Sequence, residues 1–551
     1  MEGINRREFL QSAALGAAGM AAGGAMAALS PKAGYADEAE AEEEATSDSN
    51  SDGEWDYEAD FVVVGSGTAC YGALAAADAG SSAIIIEKAS ALGGTTRLSG
   101  CAVWVPLNEH QVEEGYGEDD DADTIVSYLV AGDVFEGSDE EAKRDYVENA
   151  ATYFKWVEEN WGIKQAVYTV LGDYTDLPGS KAMGRSLIHV DDEGESLYGT
   201  ELFSEKIEPL LEEKGVKTLL NTQATSLIMD DGRVAGIYAT AEDGSEIAIK
   251  ANKGVLLGAG GFDRNEDMRK AYLRGPIYGS SAAEGNTGDG QIMGMAVGAS
   301  LANMASVWQC PFYQVDDSDE LSLDTDWFEY GGLPGSITVN HKGKRFTDEN
   351  SAYGVADYPF WNYDITEFGL SNIPGYQICD ADHVAYYGWP GYLSEKPDWF
   401  EEYETIDELA EACGIDADAL NEEIERFNGF CETGVDEDFG RGEGAYGQTN
   451  VAGYGIERDD LINPCMAPIA TAPFYVAKVV PGSIGTAGGL RTDTNACVLD
   501  HDGNVIEGLY ACGNNSGAIF GSIYPGAGGT VGPGFYRAIR AAEHACGSIV
   551  E

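Results

Sequence analysis

Asp60-Phe-Val-Val-Val-Gly65-Ser66-Gly67 leads a short β-branched run into a turn of small residues, and Thr68 to Ala79 beyond it are small and helix-compatible. Strand, tight turn and helix start are therefore expected in that order. Such a turn brings helix-start N–H groups against a pyrophosphate, whose negative charge the helix dipole favours. Glu87 ends a second strand, Ser82 to Glu87, twenty residues after Gly67 and with Lys88 beside it. That spacing suits a carboxylate holding an adenosine ribose. The run departs from G-x-G-x-x-G at its third glycine, where Cys70 stands, a side chain small enough for close helix packing. Ala91-Leu-Gly93-Gly94-Thr95-Thr96-Arg-Leu-Ser99-Gly100 follows directly. A flavin's diphosphate and ring edge need this kind of backbone approach.

The stretch from Gly93 through Ser99-Gly-Cys-Ala-Val-Trp104-Val-Pro106-Leu-Asn108 resembles the flavin-binding segment of 3-ketosteroid dehydrogenases, a branch of the FAD-dependent fumarate reductase and succinate dehydrogenase flavoproteins. Gly254-Val-Leu-Leu-Gly-Ala-Gly260-Gly-Phe262, Gly285-Asn-Thr-Gly-Asp289-Gly290 and Gly508-Leu-Tyr-Ala-Cys-Gly513-Asn514-Asn515 are similar to that family's other FAD motifs, so the resemblance spans about residues 58 to 545. It implies FAD held noncovalently, since no histidine stands in residues 93 to 100 for covalent attachment. Gly260 would help close the nucleotide fold, Asp289 would lie in a flavin-contacting turn, and Gly513 and Asn514 would face the flavin. Gly529 and Val531 complete the expected cofactor set. Ser522-Ile-Tyr524-Pro-Gly-Ala-Gly528 resembles the carboxy-terminal site in which the tyrosine hydroxyl and the glycine N–H hold a 3-oxo group. Tyr353 matches the tyrosine that exchanges the proton at the α carbon, and Tyr174 the one that assists it. Two departures stand out: Ala352 where the family commonly has proline, and Asp173-Tyr174 where it often has two tyrosines.

Donors at a carbonyl oxygen stabilise developing enolate charge, roughly 3 to 4 kcal/mol for each donor in comparable sites. A tyrosine with an ordinary pKa near 10 is a ready acid at neutral pH and a base only if that value is lowered. Protonating the α carbon while hydride reaches the β carbon saturates an enone, and desaturation reverses the same path. A rival reading is a fumarate-reductase-like enzyme for a small unsaturated carboxylate such as fumarate, urocanate or an acrylate. Such a site needs cations and an arginine proton donor, with His-Gly-x-Asn-Arg typical where this chain has Tyr524-Pro-Gly-Ala-Gly528. A further rival is a flavin electron carrier with no substrate of its own.

These residues need elements to position them. An α/β fold is expected: a Rossmann-type FAD-binding domain from residues 56–300 and 468–551, with an inserted α+β cap from 301–467. Trp308, Phe312, Tyr313, Trp327, Phe328 and Tyr330 are available either to line an apolar pocket or to form plain core. Asp416 to Phe427 carries Leu420, Ile424 and Phe427 at helical spacing and reads as a cap helix stopped by Asn428-Gly429.

The 551 residues hold 95 acidic and 32 basic side chains, a net charge of −63, which excludes nucleic-acid binding through a basic groove. Ten cysteines show no C-x-x-C, so no zinc or other metal site is expected, although spacing alone leaves an iron–sulfur cluster built from distant cysteines open. Residues 5–11, Asn-Arg-Arg-Glu-Phe-Leu-Gln, followed by the weakly apolar Ser12 to Leu29 and by Gly34-Tyr35-Ala36, resemble a cleavable twin-arginine export signal over residues 1–36. Twelve acidic residues and no basic one lie between Asp37 and Asp60, so residues 37–55 are expected to be a solvated linker. An exported enzyme of this kind, not integral to the membrane once its signal is cleaved, would exchange electrons with a membrane quinone or a cytochrome rather than with a nicotinamide.

Overall fold

The computed structural model describes residues 55–550 apart from 118, 175, 317–320, 322–326, 356–357 and 457. The expected export signal of 1–36 and all but the last residue of the expected linker lie outside the described residues.

The first strand, β1 (Tyr57–Val64), enters the turn at Gly65, and the helix α1 (Cys70–Asp78) and strand β2 (Ala83–Ile86) follow as the sequence predicts. The sheet grows with β3 (Lys217–Leu219), the strands β4 (Gln223–Asp230), β5 (Arg233–Thr240) and β6 (Glu246–Leu257), and later β7 (Cys497–Leu499) and β8 (Val505–Ala511). Their order is β7-β8-β6-β1-β2-β3, with β5 also on β6 and β4 on β5. β1 runs parallel to β2 and β6, Phe61 facing Ala83 on one side and Gly254 on the other. Alternate side chains of a strand point to opposite faces. Phe61 and Val63 accordingly join one buried core and Val62 and Val64 another. Both faces are covered, as a parallel sheet requires, which is why this run reads as continuously apolar.

One face is covered by α1 and by the last helix, α2 (Val531–Cys546). Where they meet, a Cβ on Gly72 would lie 2.7 Å from Leu256 Cδ2 and 3.0 Å from the Ala538 carbonyl oxygen. The glycine that permits close helix packing is therefore Gly72, two residues beyond the Cys70 to which the fingerprint pointed.

The cap has a five-stranded antiparallel sheet in the order Phe312–Tyr313, Phe474–Val480, Gly375–Asp380, Ser336–Val339, with Glu401–Tyr403 also paired to Phe474–Val480. The Phe474–Val480 strand was expected in the second part of the FAD-binding domain, yet it pairs with cap strands, and the chain turns back only at Gly482–Thr486, which runs beside Gly279–Ser280 of the FAD-binding part. The predicted cap helix starts at its Asp416 cap, whose carboxylate accepts from the Ala419 N–H at 3.0 Å. It does not stop at Asn428-Gly429 but runs from Ala417 to Thr433 and ends at Gly434. The Asn428 side chain, a helix-stopping signal on local grounds, instead clasps the Ile469 main chain at 2.8 and 2.9 Å. Tertiary contact here outweighs local propensity. Among the described residues no helix is long and apolar enough to cross a membrane.

Candidate active site

The cofactor cradle is built at the ends of β1, β2 and β8. Gly65 sits at φ +88°, and a Cβ there would lie 2.4 Å from the Gly258 carbonyl oxygen. The buried Glu87 carboxylate at the end of β2 accepts from the Ser66 N–H at 3.1 Å, the Ser66 hydroxyl at 2.6 Å and the Ala89 N–H at 2.9 Å, and Ser66 Oγ in turn accepts from the Gly93 N–H at 2.8 Å. Ser66, Gly67 and Glu87 therefore meet the Gly93-Gly94 turn, from which Thr95 and Thr96 lead into the short Gly94–Leu98 helix. Thr95 Oγ1 accepts from the Ala283 N–H at 3.0 Å, and Ser99 Oγ accepts from the Cys101 N–H at 3.1 Å, across Gly100. At the end of β8, Gly513 and Asn514 lie against Gly260, because Gln291 Nε2 donates to the carbonyls of both Gly260 (3.1 Å) and Asn514 (2.9 Å). Gly529 and Val531 lead into the N-terminus of α2.

Asp289 is drawn elsewhere. It opens the Asp289–Ala296 helix, and its carboxylate is held by Lys88 Nζ at 2.8 Å and Gln223 Nε2 at 3.1 Å, at the Glu87 end of the cradle and away from the tyrosines. Burial works to raise the Asp289 carboxyl, but the Lys88 and Thr287 hydrogen bonds outweigh it and hold the group below the ordinary carboxylate range. Two further residues of the quoted motifs, not singled out among the expected cofactor residues, join the cradle: Asn515, whose side chain accepts from the Ala259 N–H at 3.0 Å, and Asn286, within 3.4 Å of Thr95 Oγ1.

Tyr174, Tyr353 and Tyr524 come from segments more than 150 residues apart and converge. The Tyr174 hydroxyl donates to the Tyr353 hydroxyl at 2.9 Å. Tyr174 and Tyr524 stack with centroids 5.5 Å apart at 13°, and Tyr353 tilts against Tyr524 at 5.3 Å. Burial first, then the neighbouring tyrosines, pushes the hydroxyls of Tyr174 and Tyr353 well above the ordinary value. Burial also raises Tyr524, although its bonds to Tyr353 and Thr530 oppose the rise.

Of the aromatic run, Trp308 packs on Tyr524 at 5.2 Å and Phe328 on Tyr353 at 5.0 Å. Tyr313, Trp327 and Tyr330 are cap core, and Phe312 packs with Cys310 and Val480. A fourth tyrosine, Tyr446 of the Ala445–Gly453 helix, lies 5.1 Å from Tyr174 and was signalled by no motif.

Gly528 closes the turn after Tyr524 at φ +86°, where a Cβ would meet the Ala102 carbonyl oxygen and Val103 N at 2.4 Å. Its carbonyl accepts from the Trp104 N–H at 3.2 Å. The turn is fastened from below by Asp133, which accepts from the Ser522 N–H at 2.8 Å and from the buried Lys143 at 2.8 Å. Tyr353 is fastened by charge: Arg345 pairs with Glu349 at 2.7 Å and Asp436 at 3.0 Å, and Arg441 with Glu349 at 3.2 Å, all fully buried. Ala352 is itself buried among the tyrosines, and Gly354 lets the loop close on Tyr524, whose Cβ is 2.6 Å from where a Gly354 Cβ would stand.

A parallel nucleotide-binding sheet whose glycine turns fit a dinucleotide, joined to a cap that brings proton-bearing hydroxyls to one point, defines an FAD-dependent dehydrogenase. Residues 60–531 match the FAD binding domain family. A 3-oxosteroid 1-dehydrogenase of Mycolicibacterium smegmatis is 35% identical over 89% of this chain and 98% of that protein. A 4-oxocyclohexanecarboxylate 2-dehydrogenase of Sinomonas cyclohexanicum is 31% identical over 86% and 90%. The crystal structure of a 3-ketosteroid Δ1-dehydrogenase from Sterolibacterium denitrificans superposes with a TM-score of 0.78 at 29% identity, covering 89% of this chain and 99% of that one. The chain belongs to the FAD binding domain family, in its 3-ketosteroid dehydrogenase-like branch, and its cofactor is FAD.

Proposed function

We propose that this chain interconverts C–C and C=C bonds next to the ketone of a six-membered ring, with 3-oxosteroids as the leading substrates, and that it works as an enone reductase. The observation that carries the reading is the convergence of Tyr174, Tyr353 and Tyr524 beside Gly528. The Tyr524 hydroxyl and the Gly528 N–H hold the carbonyl oxygen and stabilise the enolate, and the Tyr353 hydroxyl delivers the proton at the α carbon with Tyr174 behind it. FAD, when bound, supplies the hydride at the β carbon. The residues expected to hold it are Gly65, Ser66, Gly67, Glu87, Lys88, Gly94, Thr95, Thr96, Ser99, Gly100, Gly260, Asp289, Gly513, Asn514, Gly529 and Val531.

The protonation state of Tyr353 supports that direction. A tyrosine raised well above its usual value is a proton donor at every physiological pH, which favours protonating an enolate over forming one. The ring ketone is the chemistry common to the names of the Mycolicibacterium and Sinomonas relatives. A small-carboxylate reductase would want an arginine here, but the guanidinium of Arg185, just before the strand that pairs with the Trp104 strand, is committed to Asp120 at 2.6 Å and Asp173 at 2.7 Å. Export by the twin-arginine route, with electrons from a membrane quinone or a cytochrome, completes the proposal and is supported by Arg6-Arg7 and the apolar stretch after them.

The test mixes chemically reduced, anaerobic holoenzyme with 3-oxo-Δ1 and 3-oxo-Δ4 steroids, 4-oxocyclohexanecarboxylate, fumarate and urocanate while flavin absorbance is followed. Rapid reoxidation by a steroid enone that is lost in Tyr353→Phe is expected. Reoxidation by fumarate or urocanate alone would overturn the reading.

A further inference from the structure

The loop that carries Tyr174 and the turn that carries Tyr524 and Gly528 are fastened to one buried carboxylate. We propose that Asp173 is a positioning residue for the carbonyl site, setting the Gly528 N–H through Trp104 and the Tyr174–Tyr524 stack through a main-chain bridge. This assignment rests on the ring-ketone reading above.

Asp173 is 6% exposed, and its carboxylate has no solvent to lean on. Oδ1 accepts from Trp104 Nε1 at 2.9 Å, and Oδ2 accepts from Arg185 Nη1 at 2.7 Å and from the Lys181 N–H at 2.9 Å. Arg185 is fixed in turn by both oxygens of Asp120, at 2.6 and 2.9 Å. An acceptor-only group is required, because each of the three partners donates. Asparagine would present its NH₂ to one of these donors. Burial pushes the Asp173 carboxyl up to about 6 against the pull of Arg185, so the charge that holds the network is itself costly to keep.

Two routes lead from Asp173 to the chemistry, one from its carboxylate and one from its main chain. Along the first, the Trp104 indole lies under the turn, 2.9 Å from where a Gly526 Cβ would stand, and the Trp104 N–H donates to the Gly528 carbonyl at 3.2 Å. That carbonyl fixes the Gly528–Gly529 peptide, and with the Gly528 Cα wedged against Ala102 and Val103 the preceding peptide, which carries the Gly528 N–H, is held as well. Along the second, the Asp173 main chain forms an antiparallel bridge with Gly526, and the Tyr174 N–H donates to the Pro525 carbonyl at 3.0 Å. Tyr174 is thereby laid face to face with Tyr524. The departure from paired tyrosines at positions 173 and 174 thus supplies the anchor of the site rather than a second hydroxyl.

The test uses FAD-loaded Trp104→Phe, which keeps an aromatic ring but loses the indole N–H together with the five-membered ring, with Asp173→Asn beside it and Arg426→Ala as a surface control. The first readout is the C=O stretch of a ¹³C3-labelled 1,4-diene-3-one steroid bound to oxidised enzyme, which reports the hydrogen bonds on the carbonyl oxygen. The second is the rate at which reduced enzyme is reoxidised by a 3-oxo enone. In both variants the stretch is expected to move from the wild-type value toward that of the free steroid. The saturating rate should fall at least tenfold, with flavin content and half-saturation little changed, while Arg426→Ala behaves as wild type. A wild-type stretch and rate in folded, flavin-loaded Trp104→Phe would overturn the assignment, whatever Asp173→Asn does to folding. A wild-type enzyme that neither shifts the stretch nor reacts with any ring ketone would instead overturn the functional reading, and the assignment with it.

Discussion

At the nucleotide end, Gly65, Gly260 and Gly513 hold turns at φ +88°, +82° and +57°, and neighbouring stretches of chain supply strand, turn and helix in succession. At the ketone end no loop is shaped that way alone: Arg345, Glu349, Asp436 and Arg441 join segments up to 109 residues apart, counting the Arg441 contact to the Gly332 carbonyl, and Asp133 reaches Ser522 across 389 residues. The nucleotide end is positioned mainly by local backbone conformation, with bridges such as Lys88–Asp289 added to it, and the ketone end mainly by buried charge that joins distant segments. Backbone strain and buried charge fail differently, and that difference can be broken or sharpened by substitution.

The largest effect is expected at Glu349. It is fully buried, takes both Arg345 and Arg441, and accepts from the Thr338 N–H at 2.9 Å. Burial works to raise its carboxyl, but the two arginines prevail and hold it low. Glu349→Gln leaves two guanidinium groups in the cap core short of a charge, and breaking such a pair costs roughly 3–5 kcal/mol. The expected result in urea unfolding is a loss of that size, with proteolysis near Tyr353 appearing before flavin release. Flavin release first would break the comparison, because the charge network would then be holding the nucleotide half.

Gly65→Ala probes the other half. A Cβ at φ +88° and 2.4 Å from the Gly258 carbonyl oxygen strains the turn by about 1–3 kcal/mol before any atom moves. At about 1.4 kcal/mol for each factor of ten, FAD should bind roughly 10- to 100-fold more weakly. The stability of the apoprotein cap, read by the same unfolding experiment, should not change. Equilibrium titration of apoprotein with FAD checks the first statement.

The same division decides what the sequence discloses. β1, its turn, β2 and the Gly93-Gly94 run were legible because their signals are glycine and β-branched residues at short spacings, and the convergence of Tyr353, Tyr524 and Gly528 follows the motifs around them. Gly72 was missed although a lone glycine among small residues was there to find, because the fixed spacing of the fingerprint points to Cys70. Asn428-Gly429 misled for the opposite reason: the stop signal is real locally, and a contact with Ile469 forty-one residues away overrides it. The aromatic run from Trp308 to Tyr330 shows hydrophobicity but not its direction, so two of its members reach the tyrosines and the rest fill the cap. Asp173 was visible only as a departure from a pattern, and nothing in its neighbours in sequence says that Trp104 and Arg185 will meet it. Tyr446 carried no signal at all.

The smallest effect expected is an absence of titration, and it bears on direction. An exposed tyrosine acting as the proton donor would lose its acid form as pH rises through about 10, so enone reduction would slow there. Burial and the hydroxyls of Tyr174 and Tyr524 raise Tyr353 well above that value, which keeps it protonated to higher pH. The reoxidation rate of prereduced enzyme by an enone should therefore stay level from pH 7 to about 10, where the reverse reaction, which needs the tyrosinate, should remain slow. Tyr174→Phe removes one of the hydroxyls packed on Tyr353 and should disturb the rate more than the shape of the profile, since burial is the larger cause. A profile already falling below about pH 10 would mean that Tyr353 carries an ordinary or lowered value. The cap would then be open to water at the tyrosines, and the enzyme suited to taking a proton from a saturated ketone rather than giving one.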